Sequence, residues 1–84
     1  MRLDKFLKVS RIIKRRTVAN EIIKKGYIEV NEKKAKPSSP LKIGDRIKIF
    51  FAKKVITYEV LILKDSTKKE DATEMFKIIS QEEK

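Results

Sequence analysis

The sequence has no cysteine and no histidine, which excludes several kinds of chemistry at once. Disulfide bonds, thiol nucleophiles, imidazole bases and most zinc sites need one of these two residues. There are also only two glycines, so the chain has no glycine-rich phosphate loop. The acidic residues form no motif that pairs carboxylates for acid–base catalysis. We therefore expect no metal, no cofactor and no enzymatic activity.

Long hydrophobic runs are absent as well. No apolar stretch approaches the roughly 20 residues of a transmembrane helix, and the N-terminus begins with Arg2, Asp4 and Lys5 instead of a signal-peptide core. We expect a soluble, cytoplasmic protein without a membrane partner. A chain of 84 residues fits a single small domain, which buries only about 60% of its unfolded surface.

Positive charge is what the sequence has in excess. It contains 22 Lys and Arg against 12 Asp and Glu, for a net charge of +10. Residues 1–36 hold 12 basic and 4 acidic residues, whereas residues 37–84 hold 10 and 8. A positive electrostatic potential concentrated in the N-terminal part of the chain indicates a nucleic-acid partner that lies against that part.

Arginine is concentrated even more strongly. Four of the five arginines lie within the first sixteen residues, at Arg2, Arg11, Arg15 and Arg16. The planar guanidinium can bind phosphate oxygens in pairs, which lysine cannot do. Arg15 and Arg16 stand at the start of a predicted helix, where their charge opposes the helix dipole, and a bound phosphate would explain that placement.

Two N-terminal helices are predicted from apolar spacing. The segment RLDKFLKVS places Leu3, Phe6 and Leu7 on one helical face. The segment RRTVANEIIKKG places Ile22 and Ile23 on another such face, and its helix is expected to stop at the glycine that follows the two lysines.

Three or four short strands are expected next. YIEV alternates apolar and polar residues and leads into a turn at Asn31, and the two prolines bracket a loop over residues 37–40. The run after the turn at Gly44 and Asp45 should pair with VITYEVLIL as an antiparallel hairpin.

A C-terminal helix is predicted after these strands. Thr67 and Glu70 have the spacing of a capping box, and Ala72, Met75, Phe76 and Ile79 follow at helical spacing. The last four residues, QEEK, are expected to fray. The predicted fold is α+β, with two N-terminal helices packed on a short antiparallel sheet and a C-terminal helix.

The motifs of the first half resemble those of a known family. RLDKFL, RRTVA, KKG, YIEVN, KAKPSS and KIGD, in this order, resemble the S-four RNA-binding domain over residues 1 to about 50. The strand hairpin and C-terminal helix then occupy residues 51–84. The opening MRLDKFLKVSRIIKRRTVA is similar to the RqcP family of stand-alone bacterial S-four proteins.

This resemblance implies a role in ribosome-associated quality control. RqcP-like proteins bind the obstructed large ribosomal subunit and contact ribosomal RNA and the peptidyl-tRNA in the P site. With RqcH, they extend the stalled nascent chain with an alanine tail. The resemblance thus implies a ribosome-associated protein, which we expect to be a monomer.

Residue roles follow from the matching motifs. The resemblance implies Arg2 and Arg16 as phosphate-binding residues and Asp4 as a residue that orients them or a base. The expected RNA-binding set is Arg2, Asp4, Lys5, Arg11, Arg15, Arg16 and Lys36. The chain departs from many S-four domains at Glu32, where glycine is common after Asn31, and at Arg15, where serine or threonine is common.

Other functions remain open at this point. RNA is favoured over DNA because the chain lacks zinc-finger and basic-zipper patterns and its helices are short, so readout of shape and phosphate is expected. The alternatives are a heat-shock-type S-four protein that rescues large subunits with nascent chains, a generic RNA-binding regulator of translation, and an accessory subunit that binds protein through its strand hairpin.

Overall fold

The computed structural model describes residues 1–65 and 67–83, which form three helices and one five-stranded antiparallel sheet. The helices are α1 (Leu3–Val9), α2 (Arg16–Lys24) and α3 (Lys69–Ala72). The strands are β1 (Ile28–Val30), β2 (Lys33–Lys34), β3 (Arg46–Phe50), β4 (Lys54–Val60) and β5 (Phe76–Glu83). Their order across the sheet is β2-β1-β3-β4-β5.

The apolar face predicted for α1 forms the centre of the core. Leu3, Phe6 and Leu7 are 0% exposed, and they belong to the same cluster as Ala19 and Ile23 of α2. Every second residue of β3 and β4 faces this cluster, as the period of two along a strand requires. These sheet residues are Ile47, Ile49, Ile56, Tyr58 and Val60. Helices α1 and α2 are therefore fixed in position by a shared hydrophobic contact.

Both N-terminal helices end in the left-handed region of backbone space. After α1, the C-cap Ser10 is followed by Arg11, which has a φ of 63°. After α2, Gly26 has a φ of 85°, so glycine at this position removes the steric cost of the turn. The stop predicted from KKG is confirmed, whereas the strained position at Arg11 is not one that the sequence indicated.

The turn predicted at Asn31 joins β1 to β2. Asn31 and Glu32 have φ values of 51° and 70°, the combination required by a two-residue hairpin turn. The side chain of Asn31 donates to Asp45 Oδ1 at 3.1 Å and accepts from the Arg46 N–H at 3.0 Å. The turn therefore forms although Glu32 replaces the usual glycine.

The prediction of a C-terminal helix that runs from Ala72 through Ile79 was wrong. α3 has only four residues, and Phe76 and Ile79 lie in β5, a fifth strand that the sequence did not indicate. β5 pairs with the whole of β4, from Val60 opposite Phe76 to Lys54 opposite Glu83. A helix there would leave the backbone groups along this edge of β4 without partners from the chain. The pairing shifts between Thr57 and Tyr58, and this bulge interrupts the alternation by which a strand is recognised.

Two smaller expectations for this region were also wrong. Thr67 does not cap α3, whose N-cap Lys68 makes no side-chain capping bond, and Thr67 Oγ1 instead donates to the carbonyl of Val9 at 2.8 Å. Residues 81–83 of the QEEK segment are part of β5, and Lys84 lies outside the described residues.

Candidate nucleic-acid interface

The candidate interface is built around the carboxylate of Asp4, which is 1% exposed. The Lys5 N–H donates to Asp4 Oδ1 at 2.8 Å, and Arg16 Nη2 donates to the same oxygen at 3.2 Å. Arg2 uses two nitrogens, with Nε 3.2 Å from Oδ1 and Nη2 3.2 Å from Oδ2. A buried carboxylate is costly unless it is paired, and here it links an arginine before α1 to an arginine in α2.

Asn20 completes this arrangement. Its Nδ2 donates to Asp4 Oδ2 at 3.0 Å and to the carbonyl oxygen of Arg16 at 3.0 Å. Asn20 was not among the residues predicted from the sequence, although it lies one helical turn after Arg16 and therefore on the same face of α2. We call Arg2, Asp4, Arg16 and Asn20 the Asp4 cluster.

The two arginines of the Asp4 cluster are held in place but still reach solvent. Their side chains are 53% exposed for Arg2 and 44% exposed for Arg16, compared with 2% for Asp4. A guanidinium has five N–H donors, and Asp4 engages only some of them. Because the buried carboxylate already orients both groups, little side-chain entropy remains to be lost when a ligand binds. The geometry suits the binding of phosphate oxygens.

The loop that carries Lys36 is attached to the same end of α1. The N–H groups of Leu3 and Asp4 donate to the carbonyls of Ser39 and Pro37 at 2.9 and 3.1 Å. Lys36 begins this turn, where its N–H donates to Ser39 Oγ at 2.8 Å, and the residue is exposed. The sequence-predicted Lys36 is therefore placed on a segment that contacts the start of α1.

Besides Lys36, three more of the predicted site residues lie outside the Asp4 cluster. Lys5 Nζ is 3.1 Å from Asp65 Oδ1, so this lysine is directed to the segment that follows β4. Arg15 is the extended N-cap of α2, without a side-chain capping bond, and it is exposed. Arg11 is exposed in the loop after α1. The tertiary structure thus divides the seven predicted residues between the cluster and its surroundings.

The environment of Asp4 shifts its pKa. Burial by itself raises this pKa, but hydrogen bonds from Arg16 and Asn20, the charge of Arg16 and the Lys5 N–H together lower it below the ordinary 3.8. Because the pKa of Asp4 is lower in the folded than in the unfolded protein, the charged carboxylate stabilises the fold at pH values above the unfolded-state pKa. That contribution disappears as the pH falls through the folded value.

This shift predicts a loss of stability in acid. Between about pH 6 and about pH 2, we expect the difference in unfolding free energy between wild type and Asp4→Asn to shrink, with most of the change below about pH 4. Urea titrations at each pH would measure it. A difference that stays constant over this range would contradict a charged, stabilising Asp4.

The described residues show neither a metal cluster nor a membrane span. Within 1–65 and 67–83, no three acidic side chains are grouped in a way that could hold a metal ion. No helix in that part of the chain is both long and apolar enough to cross a bilayer.

Comparisons with known proteins show which family this chain resembles. The family described as S4 domain matches residues 1–47. An RQC P-site tRNA stabilizing factor from Streptococcus pneumoniae is 59% identical over 81 residues, which cover 96% of this chain and 92% of the relative. A protein of the same name from Bacillus subtilis is 52% identical over 82 residues, which cover 98% and 95%. The trimeric structure of Vibrio cholerae Heat Shock Protein 15 matches with a TM-score of 0.86 and 26% identity, and covers 95% of this chain and 82% of that chain.

Proposed function

The chain belongs to the S4 domain family and, within it, to the RQC P-site tRNA stabilizing factors, and from this we propose that it is an RNA-binding factor of ribosome-associated quality control. The family assignment made from the sequence motifs is thereby confirmed. We propose further that the protein binds obstructed large ribosomal subunits by contacting ribosomal RNA and the peptidyl-tRNA in the P site. It would accordingly be cytoplasmic and associated with ribosomes.

The observation that carries the RNA-binding proposal is the Asp4 cluster. One buried carboxylate holds two arginines with their side chains about half exposed, which prepares both guanidinium groups for phosphate. The cluster lies in the half of the chain that holds most of the excess positive charge. The long-range positive potential and the preorganised arginines therefore both favour a ligand that carries phosphate groups, such as RNA.

We propose binding without catalysis. The carboxylate of Asp4 accepts hydrogen bonds from two arginines and an asparagine, which leaves it poorly suited to act as a base. Asp45 accepts from the Lys42 N–H at 2.8 Å and from Asn31 at 3.1 Å, and so serves the turn before β3.

We also propose that the protein acts beside RqcH and supports the addition of alanine tails to stalled nascent chains. Membership in the family of P-site tRNA stabilizing factors supports this role, because an elongation reaction on a split subunit depends on a peptidyl-tRNA that stays in place.

Arg16→Ala tests the proposed function. It removes a charge-assisted contact of about 1.5 to 3 kcal/mol, so we expect at least a tenfold loss of affinity for large subunits that carry peptidyl-tRNA. Co-sedimentation on gradients that separate small subunits, large subunits and whole ribosomes would measure it. Arg46→Ala is the matched control, since this arginine lies in β3, outside the Asp4 cluster. Full binding by a folded Arg16→Ala protein would contradict the assignment.

A heat-shock-type role is the second candidate, favoured by the structural match to Heat Shock Protein 15. The two candidate functions can be distinguished with a reporter mRNA on which ribosomes stall, expressed in cells with and without this protein. Alanine tails that depend on the protein and on RqcH would support the quality-control role. Tails that form normally without the protein, although it binds large subunits, would support the second candidate.

A further inference from the structure

A second basic surface lies at the other end of α1. Lys8, Arg11, Lys14 and Lys69 line a cleft of about 580 Å³, together with Val9, Asp65 and Thr67. We call this the basic cleft. It brings the loop after α1 together with the segment around α3, so the four cations come from two parts of the chain that are distant in sequence.

The basic cleft is separate from the Asp4 cluster. Lys8 is six residues after Arg2, which corresponds to about 9 Å along a helix axis and about 120° around it. No member of the Asp4 cluster lines the cleft. A phosphate bound in the cleft is therefore a different phosphate from one bound by Arg2 and Arg16.

The wall formed by the segment around α3 is fastened to α1. Thr67 Oγ1 donates to the Val9 carbonyl at 2.8 Å, and Lys5 Nζ lies 3.1 Å from Asp65 Oδ1. Among the described residues that line the cleft, Asp65 alone is negatively charged, and its partner Lys5 offsets that charge. The cations thus outweigh the anion in a space whose two sides are connected by hydrogen bonds.

The backbone of Arg11 indicates that its side chain is needed. Its φ of 63° is one that glycine adopts freely and that other residues adopt at a steric cost. Glycine is also the usual residue at this position after a helix. An exposed arginine in such a conformation suggests that its charge has a use that offsets the strain.

We propose that Lys8, Arg11, Lys14 and Lys69 form a second phosphate site, which holds a segment of RNA backbone apart from the phosphates bound at Arg2 and Arg16. This proposal rests on the proposed RNA-binding function. None of the described residues that line the cleft is aromatic, so it recognises phosphate charge and not base identity.

Arg11→Gly separates binding from stability. The change relieves the left-handed strain while it removes the guanidinium, so we expect a melting temperature equal to or above that of the wild type. The affinity for a synthetic RNA hairpin, measured by fluorescence anisotropy, should fall about tenfold. An unchanged affinity would overturn the proposal, and Arg16→Ala would still report on the Asp4 cluster separately.

A pair of lysine variants provides the second test and leaves the backbone at Arg11 unchanged. Lys14→Gln with Lys69→Gln should lower the slope of log affinity against log salt by between one and two. Lys53→Gln with Lys77→Gln removes the same charge from the region of β4 and β5 and serves as the control. If the slope decreases equally for both pairs, the effect depends only on net charge, and the proposed site is overturned.

The two phosphate sites should also act independently. When Arg11→Gly and Arg16→Ala are combined, their losses of affinity are expected to multiply to within about twofold, as for residues without shared partners. A combined loss no larger than that of Arg16→Ala alone would show that Arg11 acts through the Asp4 cluster, which would overturn a separate site.

Discussion

Replacement of Asp4 by alanine is expected to lower the free energy of unfolding by about 3 kcal/mol, because it removes the shared partner of two arginines and an asparagine. The value is at the low end for a broken buried ion pair, since Arg2 and Arg16 are half exposed and can be solvated again. Asn20 and the Lys5 N–H also lose an acceptor. Urea denaturation followed by circular dichroism would measure the change.

Asp65→Ala is the matched control for this prediction. Asp65 also forms an ion pair, with Lys5 Nζ 3.1 Å from Asp65 Oδ1, but its side chain is 89% exposed. Exposed pairs contribute at most about 1 kcal/mol, so the control should unfold almost as the wild type does. If the two variants lose equal stability, burial of Asp4 does not govern the strength of the cluster.

The more conservative Asp4→Asn variant tests preorganisation. The substitution makes the protein more positive, so net charge alone would predict tighter RNA binding. Because the neutral amide no longer holds both guanidinium groups, we expect weaker binding instead. Tighter binding by the folded variant would show that overall charge, and not the orientation of Arg2 and Arg16, determines affinity.

Salt is expected to have the largest effect on RNA binding. If the interface neutralises about six phosphates, the affinity for duplex RNA should fall about 10³-fold between about 50 and 200 mM salt, because binding releases counterions from the backbone. Titration of a labelled RNA hairpin at several salt concentrations would give the slope of log affinity against log salt concentration. In the Arg2→Ala, Arg16→Ala double variant, the slope should decrease by about two.

The control for the salt experiment is Arg46→Ala, which changes the charge of the protein but not the Asp4 cluster. Its slope should stay within experimental error of the wild type. A wild-type affinity that hardly changes with salt would contradict phosphate recognition. It would favour the alternative in which the protein contacts a partner protein through its sheet.

The helical part of the fold could be predicted because its signals are local. Leu3, Phe6 and Leu7 repeat at helical spacing, and Gly26 ends the second helix, so neighbours along the chain contain the information. The same holds for the turn at Asn31, whose conformation follows from asparagine's tolerance of positive φ.

The C-terminal region was mispredicted because its structure depends on a distant strand. Ala72, Met75, Phe76 and Ile79 are compatible with helical spacing, yet residues 76–83 extend along the free edge of β4. The gain comes from backbone hydrogen bonds with β4, whose residues lie 16 to 29 positions earlier in the chain, and no local pattern records such a pairing. The bulge beside Tyr58 further conceals the period of the strand.

The sequence by itself determined the electrostatic character of this protein, its excess of arginine near the N-terminus and its family, since these depend on residue types and their order. Only the tertiary structure decided which charges act together. It buried Asp4 between α1 and α2, so that Arg2, Arg16 and the unsuspected Asn20 meet on one carboxylate, and it brought Lys69 to the end of α1. The reason is physical: a carboxylate inside the fold must be satisfied by whichever donors packing brings near it, and packing is set by contacts between residues far apart in the chain.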